Sequence, residues 1–268
     1  MVLNNLREFI ALLDSNNELK RIDTEVNRNL EITEITDRCV KSDGPALLFE
    51  NVKGFSQPVV TNLFGTHHRV AMALGVDKTD DLGGKVESIL GLIKNPPTSI
   101  MDKLKALKEA SVIARTQPNT VKRAPCQEVV LEGDDANLEM FPHLKCWPLD
   151  AGHFMTLPLV ISKDPVSHRR NIGIYRMQIY GPKSAGLHWQ THKGGAAHMR
   201  TGKDLKVQKM EVAIALGSDP CTIWSGSLPL PPDMDEFAIS GVLRGKSVNV
   251  VKCKTIDIEV PAESEIIL

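Results

Sequence analysis

The side chains best suited to polar chemistry gather between Asn171 and His198, in NIGIYRMQIYGPKSAGLHWQTHKGGAAH. The first part reads as a strand. On a two-residue period Ile172, Ile174, Arg176 and Gln178 share one face, and Asn171, Gly173, Tyr175 and Met177 share the other. Asn171 and Arg176 therefore reach one ligand only across a bulge or at different ends of it. A charge inside an apolar run needs an anionic partner or an exposed face, and the pattern leaves both open for Arg176. His188 and His192 have the spacing that aligns two ligands on a helix. They straddle a strand end, however, and Gly194 and Gly195 follow at once. Surface or hydrogen-bonding histidines are thus a plainer reading than a helical zinc pair. Lys193-Gly194-Gly195 sets a cation beside open backbone N–H groups, a weak phosphate signal that is neither a Walker nor a Rossmann pattern. Further on, Glu236 falls in the first turn of a helix, where the helix dipole alone is reason enough for an acid.

The elements that must position these residues change character along the chain. Leu6, Phe9, Ile10 and Leu13 recur at helical spacing, and a second helix is predicted from about Glu31 to Lys41. Strands follow in PALLFENVKG and PVVTNLF, then a helix in THHRVAMALG. Residues 85–114 read as helix-rich, broken at Asn95-Pro96-Pro97. The polar stretch TQPNTVKRAP reads as a linker. Beyond it QEVVLEG, TLPLVISKD, NIGIYRMQIY, AGLHWQ, EVAIALG, KSVNVVKCKT and IDIEV suggest strands of a barrel or sandwich. One helix interrupts them, DMDEFAISGVLRG, with Asp233 as cap and Gly245 as stop. The expected fold class is α+β, with a first unit over 1–116 and a β-rich unit over 117–268.

Bulk properties narrow the function. A formal net charge of −1 leaves no footprint for nucleic acid or an anionic membrane, and 4% aromatics argue against a stacking platform for single strands. Five separated cysteines with no C-x-x-C pair indicate neither a zinc cluster nor a disulfide framework. No segment reads as a signal peptide or a membrane span, so a cytoplasmic setting is expected.

Taken together, several segments resemble the UbiD family of prenylated-flavin decarboxylases: residues 62–75, 146–165, 171–178, 188–198, the helix ending at 243–245, VVKC at 250–253 and VPAESEIIL at 260–268. The resemblance implies an N-terminal α/β domain, then a flavin-reductase-like split β-barrel, incomplete here, with a C-terminal α/β domain absent. It implies prenylated FMN as cofactor, with Mn2+ bridging to its phosphate and K+ as a further ion. Carried over by position, Asn171, His192 and Glu236 resemble the metal ligands. Ile174, Tyr175, Arg176, His188, Trp189, Gln190, Lys193 and Gly194 match the cofactor-contacting segments, and Arg176 matches the arginine of the catalytic constellation.

The family's two catalytic acids lie beyond the strand that holds Glu263 and Glu265, outside these residues. The expectation is a carboxy-lyase portion, inactive alone, from an enzyme acting on a 4-hydroxybenzoate-type acid, polyprenylated or plain, or an α,β-unsaturated acid. A flavin prenyltransferase would supply the cofactor. The full-length form would be a homo-oligomer with at most peripheral membrane association and no nucleic-acid partner. The alternative is a non-catalytic flavin-binding or subunit-interaction module, or a degenerate fragment.

Overall fold

Helix α1 (Leu6–Ser15) begins where the side chain of Asn5 accepts a hydrogen bond from Glu8 N, and Phe9 and Leu13, one turn apart, are wholly buried. A computed structural model describes residues 2–84, 114–231 and 234–268. The predicted helix break at Asn95-Pro96-Pro97 lies outside them. Strand β1 (Leu19–Ile22), helix α2 (Glu31–Lys41) and strand β2 (Ala46–Phe49) form a parallel crossover unit, and β3 (Val59–Thr61) adds to β2 antiparallel. Helix α3 (His67–Leu74) is capped by Thr66 and stopped by Gly75 at φ 62°. Its Arg69, only 1% exposed, is held by Glu18 Oε2 at 2.9 Å and Asn62 O at 3.1 Å.

The β-rich part contains β4 (Asn119–Val121), β5 (Phe154–Met155), β6 (Leu159–Lys163), β7 (Arg170–Ile174), β8 (Met177–Gly181) and β9 (Ser184–Leu187). Then come helix α4 (Gly194–Asp204), β10 (Val212–Leu216), α5 (Pro220–Ser225), α6 (Glu236–Arg244), β11 (Asn249–Lys252), β12 (Glu259–Pro261) and β13 (Ile266–Ile267). Three sheets result, ordered β13-β10-β6-β7, β12-β11-β4 and β5-β8-β9. None of the described sheets closes into a barrel. The first is buried on both faces, which explains the unbroken apolar run of β6. Leu159 and Ile161 pack with Val250, Val251 and Val260 of the second sheet, while Val160 packs with Met155 and Met177 of the third. A further core joins the two ends of the chain, with Phe9, Leu13 and Leu74 against Cys221, Ile239 and Leu243.

Three sequence expectations change. NIGIYRMQIY is two strands in two sheets: β7 pairs with β6, and after Tyr175 and Arg176 β8 pairs with β5 and β9. The alternation therefore breaks where the chain crosses between sheets, and a single-strand face assignment does not carry through. QEVVLEG forms irregular chain between two short 3-10 helices (Pro125–Gln127 and Gly133–Asp135) rather than a strand, with Val129 76% exposed, because no strand among the described residues pairs with it. Helix α6 is capped by Asp235, whose Oδ1 accepts from Phe237 N at 2.8 Å and Ala238 N at 3.3 Å. Asp233 lies outside the described residues. Gly245 ends the helix at φ 70°, as predicted. No described helix is long and apolar enough to cross a membrane.

Candidate cofactor and metal site

Asn171 sits inside β7, opposite Ser162 of β6. The Ser162 hydroxyl meets His198 Nδ1 of α4 at 3.0 Å, which docks that helix across the two strands. The start of α4 consequently lies against Asn171. A Cβ on Gly194 would overlap the Asn171 amide oxygen and come within 2.6 Å of its Cγ. The glycine pair that reads as a loop is thus the first turn of a helix, and glycine serves there for close approach. One residue on, a Cβ at Gly195 would lie 2.7 Å from the indole of Trp189. No side chain caps α4, so its first N–H groups remain directed outward.

Glu236 is the first residue of α6, nearly buried. Burial pushes its carboxyl up to about 7, opposed by the N–H groups of Glu236 and Ile172 and by the charge of Arg170. Asn171, His192, Lys193, Gly194 and Glu236 line one cavity of about 380 Å³, with Arg169, Arg170 and His198 among its other walls. Desolvation holds the His198 imidazole below its ordinary range, against the pull of Asp164.

Within this cavity two buried polar atoms, Asn171 Nδ2 and Glu236 Oε2, have no hydrogen-bond partner among the described residues. Such atoms are costly unless a ligand takes them up: the Glu236 oxygen calls for a cation or a donor, and the Asn171 amide N–H for an acceptor such as a phosphate oxygen. An amide, an imidazole and a carboxylate are a donor set suited to a hard divalent cation that also carries phosphate oxygens. Among the described residues no three His, Cys, Asp or Glu side chains converge on a metal position; the cavity is lined by Asp164, His192, His198 and Glu236 of that kind, with Asn171 beside them.

The remaining residues expected to touch a cofactor form a second group. Arg176 is exposed, its Nε donates to His188 Nδ1 at 3.2 Å, and its guanidinium lies 5.1 Å over the Phe154 ring. Tyr175 meets Trp189 edge-on at 6.3 Å and folds back over Gly173, where any Cβ would overlap its ring. Ile174 N donates to Gly226 O at 3.2 Å, and Gln190 O accepts from Lys193 N at 3.1 Å. Trp189 links the two groups through Gly195; its Nε1 is buried with no partner among the described residues. Because β7 ends at Ile174 and β8 begins at Met177, Arg176 lies in the crossover between two sheets, and the strand alternation that opposes it to Asn171 does not apply. Sequence reading missed Arg170 and Asp235, which form an ion pair at 2.6 Å beside the site. An arginine next to Asn171 was the only available signal.

Comparison with known proteins identifies the class. The family described as 3-octaprenyl-4-hydroxybenzoate carboxy-lyase (UbiD) Rift-related domain matches residues 119–268, and its N-terminal domain matches 10–87. The chain belongs to this UbiD family. An uncharacterized protein of Archaeoglobus fulgidus is 44% identical over 268 residues, all of this chain and 54% of that protein. The UbiD-class enzyme HmfF from Pelotomaculum thermopropionicum, in complex with FMN, matches 98% of this chain at TM-score 0.82 and 28% identity. Vanillic acid decarboxylase of Sedimentibacter hydroxybenzoicus matches 100% at TM-score 0.83 and 28% identity. In each case this chain spans 54% of the relative, about half its length.

Proposed function

We propose that this chain is the cofactor-holding portion of a prenylated-flavin carboxy-lyase that removes carbon dioxide from a 4-hydroxybenzoate-type aromatic acid. The observation that carries the reading is the cavity at the start of α4, lined by Asn171, His192 and Glu236, two of which bury a polar atom with no partner among the described residues. The α/β unit over 1–116 would support a split barrel over 117–268 that other residues complete.

Asn171, His192 and Glu236 would hold a divalent cation such as Mn2+, with K+ as an accessory ion, neutralising phosphate charge at the uncapped end of α4. Lys193 adds positive charge at that end, where the first N–H groups of the helix have no intrahelical partner and would donate to a phosphate oxygen. Ile174, Tyr175, His188, Trp189 and Gln190 would border the flavin. When bound, prenylated FMN supplies the electron sink for decarboxylation. Arg176, steadied by His188 and Phe154, is placed to hold a substrate carboxylate through charge-assisted hydrogen bonds. The proton donor would come from acids outside these residues, so the 268 residues alone release no carbon dioxide; release by the purified chain would overturn that statement.

The setting we propose is cytoplasmic, with a flavin prenyltransferase as cofactor source and oligomerisation in the complete protein. The test is to produce the chain with that prenyltransferase and Mn2+, then record its absorption spectrum and metal content. About one flavin per chain, lost in Asn171→Ala and Glu236→Ala, is expected. A folded but colourless and metal-free protein would refute the site.

A second reading, a subunit-interaction module without turnover, is favoured by one feature. A largely apolar cleft of about 600 Å³ opens beside β13, lined by Val129, Leu131, Met140, Phe141 and Leu268. Flavin retention with no carbon dioxide release, even with candidate partner chains added, would select it.

A further inference from the structure

Each of two residues assigned to the cation is preceded in sequence by one half of a single ion pair. Arg170 precedes Asn171 on β7, and Asp235 precedes Glu236 at the start of α6. Arg170 Nη2 and Nε donate to Asp235 Oδ2 at 2.6 and 3.2 Å, and Nη1 donates to Glu259 Oε2 of β12 at 3.0 Å. The guanidinium lies 4.6 Å over the ring of Phe237, which is itself wholly buried. The Arg170 side chain is 11% exposed, so solvent screens this network far less than a surface pair.

Asp235 uses its two oxygens for two tasks. Oδ1 caps α6 through Phe237 N and Ala238 N, while Oδ2 receives Arg170. The arginine therefore fixes the first turn of α6 to β7, and Glu259 fixes both to the second sheet. Arg170 and Asn171 are successive residues of β7 and project from opposite sides of the strand, and Arg170 reaches the cavity wall from its own side. The ion pair sets the height and angle of the helix start, with Arg170 itself part of the cavity wall. Phe237 alone would keep α6 packed, but a ring contact does not fix rotation of a helix end.

We propose that Arg170 is a positioning residue, whose fork to Asp235 and Glu259 sets the separation of Asn171 and Glu236 and thereby the affinity of the site for its cation. The inference rests on the reading of Asn171, His192 and Glu236 as a cation site. A planar fork matters because a lysine reaches one acceptor at a time with a point charge. Groups that orient ligands in this way change metal affinity by about 10–100-fold when removed.

The experiment measures Mn2+ affinity of the FMN-loaded chain by titration, with the Mn2+ spin-resonance spectrum as second readout. Arg170→Met is expected to weaken binding by about 10–100-fold, and Arg170→Lys to recover part of that loss. Asp235→Asn keeps an N-capping side chain and removes the charge, so it tests the pair even where Arg170→Met folds poorly. Asn5→Ala, which loosens α1 by about 1 kcal/mol far from the site, should leave the affinity unchanged. If Glu236→Ala loses Mn2+ while Arg170→Lys and Asp235→Asn bind within about threefold of wild type, the positioning role is overturned and the site stands, since such roles are worth at least tenfold. If Asn171→Ala and Glu236→Ala bind like wild type, or wild type binds neither FMN nor Mn2+, the site reading falls and the inference with it.

Discussion

Gly194→Ala separates a folding role for this glycine from a site role. Gly194 has no positive φ, so alanine can adopt its backbone conformation. Alanine is favoured over glycine in a helix interior by about 1 kcal/mol, and by less in the first turn. Against this, the new methyl would overlap Asn171 Oδ1, and the amide must withdraw by more than an ångström. Asn171 can do so by leaving its rotamer at a cost of about 0.5–1.5 kcal/mol. The two effects nearly cancel, so stability should change by no more than about 1 kcal/mol, or roughly 4 °C in Tm. Cofactor binding should change far more, because the displaced amide is a proposed ligand. A loss of about 10–100-fold is expected, which corresponds to about 1.4–2.8 kcal/mol.

The assay is FMN retention at fixed Mn2+, followed by equilibrium dialysis and read beside a thermal melt. Repeating it in an Asn171→Ala background closes a double-mutant cycle. With the amide gone, the methyl has nothing to displace, and Gly194→Ala should then cost little more. Wild-type flavin affinity in Gly194→Ala, or an equal loss in both backgrounds, would refute the argument from close approach.

Other outcomes follow from the same geometry. Gly173→Ala should destabilise by about 1–3 kcal/mol through overlap with the Tyr175 ring, measured by denaturant unfolding. The penalty should largely vanish in a Tyr175→Ala background. Arg244→Met should cost about 3–5 kcal/mol, because it strands buried Asp219, now 3.0 Å from Arg244 Nη1. Burial raises the Asp219 carboxyl and Arg244 is the strongest opposing influence. Losing Arg244 lifts the folded value further above the unfolded one, so this variant's deficit should be smallest below the unfolded carboxylate range and grow as pH rises. Melts from pH 4 to 8 check that sign. Asn5→Ala should lower stability by about 1 kcal/mol with flavin retention unchanged, the cap of α1 being remote from the cavity.

Much of this architecture was readable in the residues because the forces behind it are local. Helices α1, α3 and α6 were read from the sequence, and the stop at Gly245 follows from glycine's access to positive φ. Apolar runs located β2, β6 and β10, and the family resemblance picked out Asn171, His192 and Glu236, which share one cavity. What escaped depends on partners distant in sequence. A two-residue period is the same whichever sheet a strand joins, so the crossover at Tyr175 and Arg176 left no mark on the pattern. QEVVLEG has strand composition, yet a ladder needs a paired neighbour, and none of the described strands pairs with it. Two glycines argue against a helix, but the docking of α4 through His198 and the room needed by Asn171 outweigh propensity there. The ion pair of Arg170 with Asp235 joins residues 65 apart, and only folding decides that they meet. Hydrogen bonds within a helix are set by its own few residues, whereas the position of an amide, an imidazole and a carboxylate around one cavity is set by how sheets and helix ends pack.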